Sequence, residues 1–335
     1  MHTPHDNPGR TLVIQPLPGI GDTIWHLPHL RAIADAATDR SISLLTKERS
    51  LARDLLAGAN HVRDVLYLEA DGDRHSGPFG GWRLGSDLRS HGFGTVWILH
   101  GSVRYALAAC RAGIRKRIGY GIGWQDALLT SPHNLSRRDQ TLSTIGKANR
   151  LLELHGLSVS DTRPELPIPD AILQVTKTSQ AALHGPAIAL AIGSSESFKQ
   201  WGVDRFGDLI AASRERLGCS FVLVGGAGDT IAARQLTDRF QNPDWLLTVI
   251  GAPILEAAAF VSGCKACVGN DTGMLQVAAA CGTTSLGLFG GSVPLNQDTR
   301  IFPLSPPGNV QHGENRMAEI SVDMVLESLR SLDLR

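Results

Sequence analysis

The sequence predicts an α/β protein of two doubly wound parallel-sheet domains, and four observations carry that prediction. Short β-rich runs alternate with helical stretches of about 10–15 residues, the pattern of successive βαβ units. The alternation halts at a proline-rich stretch near the middle and then restarts. A chain of 335 residues also exceeds one typical domain and fits two. Its 36 glycines fall mostly just after apolar runs, where such a fold turns from strand to helix.

In the first half, strands are expected at Thr11–Gln15, Ser41–Leu45, Asp64–Leu68 and Thr95–Leu99. Helices are expected over Thr23–Ala37, Glu48–Ala57, Arg83–His91 and Ser102–Ala112. A further helix, Gln140–His155, leads into Ser158–Asp170, where Pro164, Pro167 and Pro169 can extend neither a helix nor a central strand. This divides the chain into domains 1–160 and 175–335 with a linker over 161–174.

In the second half, strands are expected at Ala187–Ala191, Ser220–Val224, Leu246–Val249, Lys265–Val268 and Thr284–Phe289. Helices fall at Val203–Leu217, Asp229–Phe240, Pro253–Ser262 and Gly273–Cys281. Gly290–Asn315 is rich in Pro and Gly and reads as a long loop. Ala318–Leu332 has apolar residues at helical spacing. This last helix is assigned to the second domain, with packing back onto the first as the alternative. Two such sheets facing each other would hold a ligand in the cleft outside the carboxyl ends of their strands.

Composition excludes little. Lys plus Arg equals Asp plus Glu at 32 each, which argues neither for nor against nucleic acid, and no such partner is expected. Met1–Arg10 is polar and reads as no secretion signal, and no run of about 18 apolar residues occurs. Five cysteines then suggest reduced thiols and a cytoplasmic chain. Only six residues are lysine against 26 arginines, so each lysine draws scrutiny.

Four segments carry chemistry. Pro18–Ile24 follows a strand, and its Gly19, Gly21 and Asp22 suit a tight turn with a carboxylate at the helix start. Asp22 is there either a cap or a general base. Gly193–Trp201 offers Ser194, Ser195 and Lys199, hydroxyls and an ammonium that suit phosphate, or a plain solvated loop. Val224–Asp229 is a glycine turn whose Asp229 either reaches ribose hydroxyls or caps a helix. In Val268–Gln276, small residues open a helix whose free N–H groups and dipole suit a diphosphate, with Asp271 at its edge. A dinucleotide loop fits poorly, because the third glycine is absent and Lys47 follows Thr46 where an acid is needed.

In order, the patterns G-x-G-D-x-x-x-x-L-P, S-S-x-x-x-K-x-W and G-N-D-T-G-x-x-x-x-A-A-A, spread between about Thr11 and Phe289, resemble glycosyltransferase family 9. That is the family of the ADP-heptose:lipopolysaccharide heptosyltransferases. The resemblance implies a GT-B fold and an inverting, metal-independent transfer with no bound cofactor. It implies Asp22 as catalytic base, and Ser194, Ser195 and Lys199 on the donor's phosphates. Asp271, Thr272 and Gly273 match the donor-binding segment, and Asp229 matches an acid near the ribose. Gln276 stands where the family commonly has His, and it hydrogen-bonds without carrying charge. Gly21, His26 and Arg104 are placed on the acceptor side. The implied partners are an ADP-linked sugar, heptose above all, and a lipopolysaccharide-type glycan or glycolipid, with peripheral contact at the inner membrane. The alternatives are a nucleotide-sugar epimerase of the same fold, a non-catalytic nucleotide-sugar binder, and a nicotinamide oxidoreductase.

Other features have plainer readings. Cys264-x-x-Cys267 with Cys281 lacks a fourth metal ligand nearby and reads as small core residues. His26 and His29, three apart on one helix, read as buried structural histidines or as groups orienting the base or acceptor. Arg104, Arg111, Arg115, Lys116 and Arg117 form either a solvated face or an attraction for an anionic acceptor or membrane. Gly77–Gly85, with Phe79 and Trp82, reads as an acceptor-side lid or a surface loop.

Overall fold

Strands β1 (Arg10–Ile14) and β6 (Ala187–Ala191) are buried in their last four residues, which are apolar apart from Thr11. Central strands of parallel sheets read this way because helices cover both faces. The computed structural model describes residues 9–68, 74–159, 163–181, 183–294 and 298–332. The chain divides into two compact units, Met1–Thr162 and Arg163–Arg335.

In the first unit, β1 is followed by α1 (Ile20–Ala36), β2 (Ile42–Lys47), α2 (Ala52–Leu55), β3 (Val62–Leu68) and α3 (Gly80–Leu88). Then come β4 (Phe93–Ile98), α4 (Val103–Arg111), β5 (Lys116–Gly119) and α5 (Thr144–Leu154). All strands pair in parallel in the order β3-β2-β1-β4-β5. Leu12, Ile14, Val96 and Ile98 pack against Leu84, Leu88, Ala106 and Ala109 of α3 and α4.

The second unit opens with α6 (Asp170–Gln180) before β6, α7 (Val203–Leu217), β7 (Ser220–Gly225), α8 (Thr230–Arg239) and β8 (Leu246–Ile250). It continues with α9 (Ile254–Ser262), β9 (Ala266–Asn270), α10 (Gly273–Ala280), β10 (Thr284–Leu288), β11 (Ile301–Leu304) and α11 (Val322–Ser331). This sheet is also parallel, in the order β11-β10-β9-β6-β7-β8.

The departures from expectation have physical causes. Strand β5 hides in the basic run because an edge strand tolerates charge. Strand β11 lies inside the expected long loop, and its Pro303 is admissible because β11 has a neighbour on one side only. Helix α6 overlaps the expected linker 161–174, since the prolines stop before it and Pro169 stands at its N-cap rather than inside it. Leu166 N–H donates to the Ala280 carbonyl at 2.9 Å, which ties this stretch to the second unit. Residues 160–162 lie outside those described. Helix α11 packs on α7 and β10 of its own unit.

In each sheet the crossovers leave neighbouring strands in opposite directions at one point, which opens a crevice at the carboxyl edge. That point falls between β1 and β4 in the first unit and between β6 and β9 in the second.

Candidate functional site

The donor-side residues expected from the sequence cluster at the second unit's crevice. After β6, residues 193–201 leave the sheet, and Asn270 at the end of β9 pins both ends of that loop. Its Nδ2 donates to the carbonyls of Ile192 at 2.9 Å and Gly193 at 3.3 Å, while its Oδ1 accepts from Trp201 N–H at 3.0 Å. Asn270 is wholly buried, so these bonds satisfy an amide that would otherwise be costly there. Trp201 is buried too and donates from Nε1 to the Ile320 carbonyl at 2.8 Å.

The pinned loop delivers Lys199 to the neighbouring strand's end. Lys199 Nζ lies 3.2 Å from Asp271 Oδ2 and 2.8 Å from Glu196 Oε2. Burial by itself would lower the lysine's pKa, but the two carboxylates outweigh it and hold the ammonium above its ordinary value. Asp271 Oδ2 also accepts from Ser292 Oγ at 2.6 Å. Thr272 occupies the N-cap of α10 without a side-chain cap bond, so the first N–H groups of α10, from Gly273 onward, open at this cluster. Gln276 is buried one turn further along α10. An ammonium, a helix N-terminus and hydroxyls at a switch point can together hold a diphosphate.

Ser194 and Ser195 differ. Ser194 Oγ is turned into its own loop, donating to the Glu196 carbonyl at 3.0 Å and accepting from Glu196 N–H at 3.2 Å, whereas Ser195 is exposed. Asp229 sits beyond β7, where its Oδ2 accepts from Gly226 N–H at 2.8 Å. A Cβ on Gly193 would run into the Asp229 carboxylate, so the glycine lets loop and acid touch.

Asp22 is built the same way in the first unit. Its Oδ2 accepts from Gly19 N–H at 2.9 Å within a G-x-G-D turn, which Gly226–Asp229 repeats in the second. The carboxylate is thus a cap, and among the described residues no hydrogen bond reaches Oδ1. Burial raises the Asp22 pKa, and the Gly19 N–H offsets it only in part. Gly21 lies beside it in the first turn of α1. Arg104 lies in the first turn of α4, so both follow strands that flank the crevice.

His26, expected on the acceptor side, is corrected by its burial. It is fully enclosed, with Nδ1 at 2.6 Å from the Asp22 carbonyl and 3.5 Å from Gln15 Nε2. Burial, and the neighbouring His29, push its pKa down to about 3, so it is neutral in the fold. It presents nothing to an acceptor and instead backs the turn that carries Asp22. His29 is likewise buried, with Nε2 at 2.7 Å from Asn149 Oδ1.

Sequence reasoning did not single out Ser292 or Glu196, which the structure places on Asp271 and Lys199. Ser292 follows Gly290 and Gly291 directly after β10, the same glycine signal that marked the other loops, but it fell in the presumed long loop. Lys47 ends β2 and His100 follows β4; burial and the nearby Lys47 charge lower the His100 pKa. The three cysteines Cys264, Cys267 and Cys281 have thiol pKa values raised by burial, as core residues do.

Comparison with known proteins gives the family and the fold. The model of glycosyltransferase family 9 (heptosyltransferase) matches residues 81–321. Lipopolysaccharide heptosyltransferase 2 of Salmonella typhimurium is 26% identical over 277 residues, 75% of this chain and 78% of that protein. The Escherichia coli protein of the same name is 25% identical over 280 residues, 76% of this chain and 79% of its own length. The structure of E. coli ADP-heptose lps heptosyltransferase II superposes with a TM-score of 0.73 at 22% identity, covering 96% of this chain and 98% of that one. A family 9 glycosyltransferase from Veillonella parvula gives 0.77 at 19% identity, with 97% of each chain covered. These structures share the fold, two Rossmann-like domains of the GT-B type. The chain belongs to glycosyltransferase family 9 and is a GT-B glycosyltransferase related to the ADP-heptose heptosyltransferases.

Proposed function

We propose that this chain transfers a heptose from ADP-heptose to a hydroxyl of a lipopolysaccharide-type glycan, with inversion and without a metal ion. The observation that carries this reading is the Lys199–Asp271 pair at the open N-terminus of α10. In the reaction, Asp22 takes the proton of the acceptor hydroxyl as that oxygen attacks the anomeric carbon from the face opposite the leaving group. The bond from that carbon to the diphosphate breaks, and the departing charge falls to Lys199, Ser195 and the amides at Thr272–Gly273, and to Ser194 once its hydroxyl turns from the Glu196 carbonyl. Fixed donors here do what a divalent ion would otherwise do. Asp271 is assigned to the sugar hydroxyls, Asp229 to the ribose, and Gln276 to the donor's surroundings. Gly21, Arg104, Lys47 and His100 are assigned to the acceptor side. A cytoplasmic location, at the inner face of the inner membrane, goes with this reading.

Calorimetry with ADP, UDP, GDP and NAD, paired with transfer assays in chelator, tests it. Selective ADP binding, heptose transfer that survives chelation, and a fall of about 10²–10⁴ in kcat for Asp22→Asn are expected. UDP or GDP binding instead would discard ADP-heptose, and an Asp22→Asn enzyme at full rate would remove the base. Binding without turnover on any acceptor would favour the non-catalytic alternative, which Gln276 in place of the family's histidine keeps in view.

A further inference from the structure

We propose that His26 is a positioning residue for the transfer: its Nδ1–H fixes the Asp22 peptide and so decides where the free carboxylate oxygen Oδ1 of Asp22 is aimed. This rests on the reading of Asp22 as the base and adds to it a residue that touches neither sugar. The turn that carries Asp22 needs such a pin. Gly19 and Gly21 leave its backbone freer than other residues would. Pro28 has no N–H for the Ile24 carbonyl, so the start of α1 is tied to the rest of the helix by one rung fewer. Two bonds make up for this. Gly19 N–H donates to Asp22 Oδ2 at 2.9 Å, and His26 Nδ1 lies 2.6 Å from the Asp22 carbonyl oxygen. The carboxylate and the main chain of Asp22 are thereby both held.

Geometry fixes which ring nitrogen carries the proton. Lone pairs facing each other at 2.6 Å would repel, so Nδ1 donates and the carbonyl accepts. The Gln15 amide nitrogen, at 3.5 Å from Nδ1, is too distant to compete, and Gln15 Oε1 is taken by Thr46 Oγ1. A neutral ring with its proton on Nδ1 leaves Nε2 bare. Among the described residues this fully buried nitrogen has no hydrogen-bond partner. A sealed acceptor without a donor costs stability, and a leucine would fill the space without that cost. Packing therefore does not account for an imidazole here, whereas the bond to Asp22 does. The ring must also stay neutral, because an imidazolium beside Asp22 would favour the ionised carboxylate and weaken it as a base. Burial, with His29 next to it, keeps His26 uncharged, and His29 turns its own Nε2 to Asn149 Oδ1 at 2.7 Å.

Nitrogen NMR on the full chain labelled at histidine tests the geometry without any substrate. Nδ1 protonated and Nε2 bare between about pH 5 and 8 is expected. The opposite tautomer, or an imidazolium in that range, overturns the proposal. Substitution tests the consequence. An Asn side chain sets an N–H close to the place of Nδ1, Gln carries its own one carbon too far, and Leu has none. With ADP-heptose and a lipopolysaccharide core freed of its acyl chains, His26→Leu and His26→Gln should lose roughly tenfold in kcat. Both KM values and ADP affinity should be unchanged in them, and His26→Asn should stay within about threefold of the parent. Urea denaturation at neutral pH should rank the variants differently, with Leu above Asn, since Asn fills less of the space and buries an amide. Activity that follows stability across the three variants overturns the proposal, because a merely structural histidine behaves that way. So does full rate in His26→Leu where Asp22→Asn is disabled, an outcome that leaves the base assignment standing. Full rate in Asp22→Asn overturns both, since no base is then left to position.

Discussion

Lys199 is held by two carboxylates, so its cluster carries an excess of negative charge before any diphosphate arrives. Asp271 is tied down by Ser292, whereas Glu196 is the more exposed partner and the one a phosphate oxygen can replace. Glu196→Gln should therefore tighten ADP binding by roughly two- to fivefold, a modest gain because solvent screens this group. Lys199→Ala should weaken it by roughly ten- to a hundredfold. Calorimetry decides, and an unchanged affinity in Glu196→Gln would leave that residue as a support for the lysine's pose. Asp22 supplies the pH signature. Its pKa is raised by burial, and a base acts only when ionised, so the acid limb of kcat/KM should lie above the ordinary carboxylate value of 3.8. Asp22 and Lys199 were legible as residues because glycines and hydroxyls flag their loops. Ser292 and His100 were not, since what they touch depends on strand order.

Helix α1 shows how an element is tuned behind its reactive turn. It buries His26 and His29, with ring centroids 5.4 Å apart, and Pro28 within the helix gives no N–H to the ladder. Gln15 Oε1 accepts from Thr46 Oγ1 at 3.3 Å, which joins strands β1 and β2 beneath His26. Both histidines have pKa values below the ordinary 6.5, largely through burial. The unfolded chain then binds their protons first as pH falls, so the stability they leave intact above pH 6.5 is lost as pH drops below it, for His26 down towards about 3. Between neutrality and about pH 5 the unfolding free energy should fall by roughly 2 kcal/mol through His26, with His29 adding a loss of the same sign. Urea denaturation across that range measures it, and His26→Leu should flatten the slope; equal slopes would show that His26 does not titrate this way. At this scale, long periodic helices such as α7 were readable to the residue. Strands β5 and β11 were not, because an edge position excuses the charge and proline that disguise them.

Across the whole molecule, each unit has its own sheet and core clusters, and the residues proposed for the donor side belong to the second. Heating should give two transitions, with ADP raising one of them by about 2.7 kcal/mol at a hundredfold excess over Kd. Differential scanning calorimetry would refute this through a single transition, or through equal shifts of both. Among the described residues no helix is long and apolar enough to cross a membrane. By itself the sequence determined two doubly wound domains, the loops that end their strands, and the family, since all of these follow from local periodicity, glycine turns and spaced motifs. Only the tertiary structure decided that β6 lies beside β9, so that Asn270 pins the Lys199 loop and Lys199 meets Asp271. It also decided that His26 is sealed. Local pattern states what a residue can do, but burial and neighbours arise from long-range pairing, which no short window of sequence contains.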